Sequence, residues 1–224
     1  MFILLDEYRD AFKEIKRTMI DGPRYYIVEG NTVAYPSITS VISHINRDKW
    51  ARWQKKVGLE EANKVRKHST TRGTDLHKLF EVYLQNGDYK SLPEYQKPLI
   101  QLMFNAAKKE IDLTFNNIQL QEQQMYSDKM CLAGTVDLVC EVGGELAIVD
   151  FKTAKAEKPE EWLEDYFVQL SAYWAMFAEH TQHAPKKLVV FLVGENGDVQ
   201  VVERTNIMDY LKTLQDYVSK FVQP

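Results

Sequence analysis

Gly134-Thr-Val-Asp137-Leu-Val139 and Ala147-Ile-Val-Asp150-Phe-Lys152-Thr153 are the two runs whose reading decides the fold. Both are rich in β-branched residues, and Val142-Gly143-Gly144 between them has the composition of a tight turn. They predict an antiparallel hairpin with strands over 130–141 and 145–152. Side chains alternate faces along a strand, so Asp150 and Lys152 share a face with Ile148, while Val149 and Phe151 take the other. Asp137 lies on the neighbouring strand, so two carboxylates and an ammonium can converge at one end of the hairpin. Hard divalent cations take carboxylate oxygens and water. A lysine beside them can orient or deprotonate a water, or stabilise charge building on a phosphate. For Asp-x-Lys alone, an exposed salt bridge on a strand is the ordinary alternative.

Outward from the hairpin, a strand over 117–127 precedes it and a helix over 159–179 follows. Strands over 188–193 and 199–203 flank Glu195-Asn196-Gly197-Asp198, and 207–222 closes as a helix. Towards the start of the chain, Leu5, Tyr8, Phe12, Ile15 and Met19 are spaced for a helix over 5–19. Strands over 24–28 and 32–35 enclose the turn Glu29-Gly30-Asn31. Ser37 is placed to cap a helix striped by Ile38, Val41, Ile42 and Ile45. Helices over 48–57 and 59–85 follow, the second with a break near 69–73, and then one over 94–111. Helices, a strand meander, a helix and more strands predict an α/β fold with a central mixed β-sheet flanked by helices.

The chain has 224 residues, 45% hydrophobic and 27% charged, enough for one sizeable core without a disulfide or metal staple. This composition excludes a disordered or fibrous chain. The longest clear apolar run, 188–193, falls far short of the ~20 residues that span a bilayer. The first residues lack the basic segment and long apolar stretch of a secretory signal, and Cys131 and Cys140 are too few for a disulfide framework and wrongly spaced for a zinc pair. A cytoplasmic location is expected. The formal charge is −4. Residues 46–78, however, hold ten basic residues against four acidic ones, a net +6 that leaves −10 for the remainder. Trp50 and Trp53 sit inside this stretch. Such a segment can hold phosphates and stack bases; a solvated helical face with core tryptophans is the alternative.

Asp137, twelve intervening residues and then Asp150-Phe151-Lys152 resemble the core motif of the PD-(D/E)XK nuclease superfamily. Gly73-Thr-Asp-Leu-His77, followed by Glu81, resembles the helical Gly-x-x-x-His motif of its RecB-type branch, and Gln169-Leu-Ser-Ala-Tyr173 resembles that branch's Gln-x-x-x-Tyr motif. These elements keep the family's order over roughly residues 70–175. Tyr35-Pro-Ser-Ile-Thr39 and the basic helices after it look most like the mitochondrial genome maintenance exonuclease and its phage and bacterial relatives. The resemblance implies a restriction-endonuclease-like core with an N-terminal helical DNA-binding segment. It implies one domain over 1–224: hairpin and basic helices in 1–70, catalytic core in 71–205 and a closing helix in 206–224.

It further implies a Mg²⁺- or Mn²⁺-dependent DNA exonuclease acting on single strands or DNA ends, in repair, replication or recombination and with proteins of those processes as further partners. Asp137, Asp150, His77 and the carbonyl of Phe151 would hold the metal. Lys152 would activate or position the attacking water. Gln169 and Tyr173, one helical turn apart, would touch the substrate backbone or hold Lys152. Ser37, Thr39, Trp50, Trp53, Arg72 and Thr74 are the candidate substrate contacts, with simple capping the alternative for Ser37 and Thr39. Glu81 could support His77, with a surface salt bridge the equal alternative, and Glu122 is a further acidic candidate that, on a mostly polar strand, reads more as an ordinary exposed or supporting group. No iron–sulfur cluster is expected, because branch members that carry one use four cysteines. A flap endonuclease and a catalytically silent DNA-binding protein of the same fold are the competing readings.

Overall fold

The apolar run at 188–193 belongs to β7 (Lys187–Gly194), buried along its whole length. A strand with no exposed face needs a layer on each side. In the computed structural model, which describes residues 1–5 and 7–222, two helical layers supply them. Asp6, Gln223 and Pro224, within the expected first and last helices, lie outside the described residues. β7 belongs to a five-stranded sheet ordered β4 (Phe115–Ser127), β5 (Leu132–Val142), β6 (Glu145–Ala154), β7 and β8 (Val199–Arg204). β6 and β7 are parallel and the other neighbours antiparallel. The parallel pair is joined through α5 (Glu164–Thr181), since such a connection has to cross a face of the sheet.

α1 (Ile38–Ile45), α5 and α6 (Ile207–Val222) cover one face, where Ile38, Ile148, Phe167, Tyr173, Val190 and Leu214 pack together. α3 (Leu59–Leu84) and α4 (Pro98–Thr114) cover the other with Leu76, Phe80, Phe104, Val149, Phe151 and Phe191. This is the mixed sheet flanked by helices that the sequence predicts. Among the described residues no helix is long and apolar enough to cross a membrane.

The N-terminal part differs from its reading. Instead of a helix over 5–19 there is a short 3-10 turn at Arg9–Ala11 and then β1 (Ile15–Met19). β1 forms a small antiparallel sheet with β2 (Arg24–Val28) and β3 (Ala34–Pro36). The apolar spacing that suggested a helix serves separate tertiary contacts. Tyr8 packs on Phe177 and Phe12 on His180, while Ile15 pairs across from Val28. The expected break at 69–73 is also absent. α3 runs through it because Arg72, Leu76 and Phe80 keep one side of the helix buried. α4 starts at Pro98, later than expected, a residue suited to a first helical turn.

Phe80 is 1% exposed and lies 4.5 Å, centroid to centroid, from Phe151, with Phe104 and Phe191 also against it. Phe80→Ala should cost about 3–5 kcal/mol of stability, read as a lower urea midpoint at unchanged m-value.

Candidate active site

β5 and β6 pair from Val142↔Glu145 to Leu138↔Val149, and the ladder then stops. Beyond that point the side chain of Asp137 replaces a backbone partner. Its Oδ2 accepts the Phe151 N–H at 2.8 Å. The Phe151 carbonyl in turn accepts a hydrogen bond from His77 Nε2 of α3 at 2.9 Å. Fixing the proton on Nε2 turns Nδ1 towards Asp137 Oδ2 and Glu122 Oε1, each 3.8 Å away. Glu122 has φ +47°, left-handed backbone for a residue with a side chain. The flanking pairs Gln121↔Leu138 and Gln123↔Val136 set it across from Asp137. Ligand atoms of His77, Glu122 and Asp137 all lie within 4.8 Å of one another.

Asp150 is 1% exposed. Its Oδ1 accepts from Gln169 Nε2 at 3.2 Å, and the same amide donates to the Tyr173 hydroxyl at 3.3 Å. Its Oδ2 is held by the Lys152 ammonium. The Lys152 ammonium also lies 5.0 Å from the centre of the Tyr166 ring. Burial pushes the Asp150 carboxyl up to about 6, with the charge of Asp137 adding to the rise and that of Lys152 opposing it. Burial acts to lower Lys152, but the charges of Asp150 and Asp137 hold it above its ordinary value. Burial likewise opposes charge on His77, yet Asp137 and Glu122 bring it up to about 9. Without a bound ion, then, the acids are balanced by an imidazolium and an ammonium, and Lys152 has no lone pair to act as a base. Carboxylate oxygens and one imidazole nitrogen within reach of one another suit a divalent cation that takes over this balancing role.

The structure therefore brings His77, Asp137, Asp150, Phe151, Lys152, Gln169 and Tyr173 to one place. Thr39 lines the same cleft, about 320 Å³ in volume. Ser37 is buried and caps α1, accepting the Ser40 N–H at 3.1 Å. Trp50 is exposed and Trp53 half-buried on α2 (Arg47–Val57), edge to face beside a groove between α2 and α3. Arg72 does not reach the cleft; it is buried and ion-paired to Glu195. Thr74 is exposed on α3 and does not line the cleft either. Glu81 pairs with Lys78 at 2.7 Å rather than with His77. Glu122, which the sequence ranks below the other acids as an exposed or supporting group, belongs to the cluster. The one available signal was its register opposite Asp137. Gly134 has a visible reason: a Cβ there would sit 2.7 Å from Tyr173 Cε1.

A family model of the PD-(D/E)XK nuclease superfamily matches residues 90–223, a span that holds Asp137, Asp150, Lys152, Gln169 and Tyr173. The chain belongs to the PD-(D/E)XK nuclease superfamily. It is a nuclease domain by family. Its members typically use divalent metals, in keeping with the His77, Glu122 and Asp137 cluster. His77 lies ahead of the matched span. Among solved structures, a crystal structure of a Eubacterium rectale protein provisionally described as an exonuclease is similar, at 13% identity and a TM-score of 0.45. The match covers 67% of this chain, which spans 63% of the length of that protein. No curated protein matches the sequence significantly.

A histidine whose folded pKa is raised contributes stability that is complete below its unfolded value and lost as pH rises through the folded one. The window for His77 runs from about 6.5 to about 9. In metal-free protein, the stability difference between wild type and His77→Asn should therefore shrink steadily from pH 6 to pH 9.5. Urea unfolding at stepped pH measures it, and a constant difference would remove the imidazolium from this account.

Proposed function

We propose that this nuclease is a metal-dependent DNA exonuclease that hydrolyses single strands or free DNA ends. The observation that supports it best is the meeting of His77, Glu122, Asp137, Asp150 and Lys152, carried by α3, β4, β5 and β6, at one cleft. The motif likeness supports reading it as a member of the RecB-type branch, near the mitochondrial genome maintenance exonuclease, and as a single-domain cytoplasmic enzyme of repair, replication or recombination. In this reading 1–70 binds DNA, 71–205 is the catalytic core and 206–222 packs as its closing helix.

His77 Nδ1, Glu122 and Asp137 would hold Mg²⁺ or Mn²⁺, with Asp150 and the Phe151 carbonyl beside them. Bound there, the ion supplies Lewis acidity towards a phosphate oxygen and towards an attacking water. The chain's own groups do the rest. Gln169 holds Asp150 in place, and Tyr173 holds Gln169. Lys152 presents a positive charge to the phosphate and orients water, and it can yield its proton once the carboxylates are neutralised. Trp50 and Trp53 on the basic helices offer rings to unstacked bases, and Thr39 a hydroxyl to a phosphate. Ser37, Arg72 and Thr74 act at one remove, through the cap of α1 and the packing and surface of α3.

With end-labelled linear and circular single-stranded DNA in Mg²⁺, the linear strand should be degraded and the circle spared. Asp150→Asn and Lys152→Ala should each lower kcat by about 100-fold or more. Full activity in both variants would overturn the site, and cutting of the circle would favour the flap endonuclease.

A further inference from the structure

The segment first read as a helix carries a second cationic element. On the β1–β2 ladder Ile15 lies across from Val28, and Arg17 across from Tyr26. Arg24, two residues from Tyr26, shares that face. The apolar half of the face, with Ile15, Tyr26 and Val28, packs on Tyr126 and Ala133 of the main sheet. The other half overhangs the cleft, where Arg17 and Arg24 line the wall facing Glu122, Asp137 and Asp150. The Tyr26 hydroxyl, 3.4 Å from Thr135 Oγ1, marks the join between the two halves.

Neither guanidinium is spent on the fold. Arg47, Arg72 and Arg204 meet carboxylates, whereas no ion pair involves Arg17 or Arg24 among the described residues. The backbone of Arg24 is nonetheless fixed. Its N–H donates to Ser40 Oγ at 2.9 Å, and its carbonyl accepts the Ser37 N–H at 2.9 Å. Two positioned arginines thus face an acidic wall across open space. What fits between them has negative charge for the arginines and a cation-bridged anion for the acids. A nucleic-acid strand supplies both, because its charge repeats at every phosphate. The cleft, about 320 Å³, is near the lower end for ligand sites, room for about one nucleotide.

We propose that Arg17 and Arg24 form a phosphate seat that grips the phosphate adjoining the scissile one, so that the β1–β2 hairpin is part of the substrate site. The guanidinium fork suits two phosphate oxygens at once, which a lysine ammonium cannot match. This rests on the nuclease reading of the cleft. Arg17 and Arg24 are positioning residues, acting on where the strand lies rather than on the bond that breaks.

The test uses the full chain with Mg²⁺ and a linear single-stranded oligonucleotide, comparing wild type with Arg17→Gln, Arg24→Gln and the two lysine variants. Each glutamine should raise KM about tenfold with little change in kcat. It should also flatten the slope of log(1/KM) against log[salt] by about 0.7. Each lysine should restore the salt slope but only part of KM. Thermal midpoints equal to wild type show that the folds are intact, and the lysine variants give the result if a glutamine variant misfolds. Unchanged KM and salt slope in an enzyme that cuts would overturn the seat alone. A wild type inert on every nucleic acid would overturn the nuclease reading and the seat with it.

Discussion

An ionised carboxylate at 1% exposure is the constraint from which the rest of the site follows. Taking such a group out of water costs several kcal/mol unless charge and hydrogen bonds compensate. Lys152 supplies the charge, because the two-residue period of β6 brings it to the face that Asp150 occupies. Gln169 supplies the hydrogen bond, which requires α5 to cross this face of the sheet. Tyr173 then needs room over β5, and Gly134 leaves it. Asp137 adds a like charge close by, and His77 answers it from α3. Four elements contribute because no single strand can bury two acids and also neutralise them.

β4 departs from regularity at two places, one across from the site and one towards the β5–β6 turn. The ladder between β4 and β5 shifts register between Asn116 and Leu120, and Asn117 and Glu122 both have positive φ. Backbone of this kind in non-glycine residues costs about 1–3 kcal/mol each and persists only where its surroundings hold it. The first residues of the chain do part of the holding. The Leu5 N–H donates to the Ile118 carbonyl at 2.8 Å, and the Ile118 N–H donates to the Ile3 carbonyl at 2.7 Å. The extended N-terminal segment therefore patches the stretch of β4 that its bulge leaves unpaired.

What the sequence revealed follows from which constraints are local. Asp150, Lys152 and Asp137 were legible because strand alternation and a glycine turn determine their relation over sixteen residues. The Gln169–Tyr173 pair was legible because four residues make one helical turn. Glu122 was discounted because its strand is mostly polar, and its place opposite Asp137 depends on the β4–β5 register. Arg72 looked like a phosphate contact within a basic run, but its place in a buried stripe depends on Glu195, 123 residues away. The residues at 15–19 carry no local mark of a strand. Ile15 and Arg17 acquire their facing from β2, and with it Arg17 acquires its view of the cleft.

The charge pattern of the whole chain then has a directional meaning. The excess of −10 outside residues 46–78 repels a polyanion from most of the surface, and the basic helices attract it. At the cleft itself the charges of Glu122, Asp137 and Asp150 are already answered by His77 and Lys152, so a divalent ion held there would add the positive charge that meets a phosphate. Cation and strand therefore have to favour one another's binding, and by thermodynamic linkage each raises the other's affinity by the same factor. In the proposed site, opposed walls of acid and arginine would make the cleft selective for the pair. In the proposed seat an isolated cation would leave the guanidiniums unmatched, whereas a cation and a phosphate together would meet both walls.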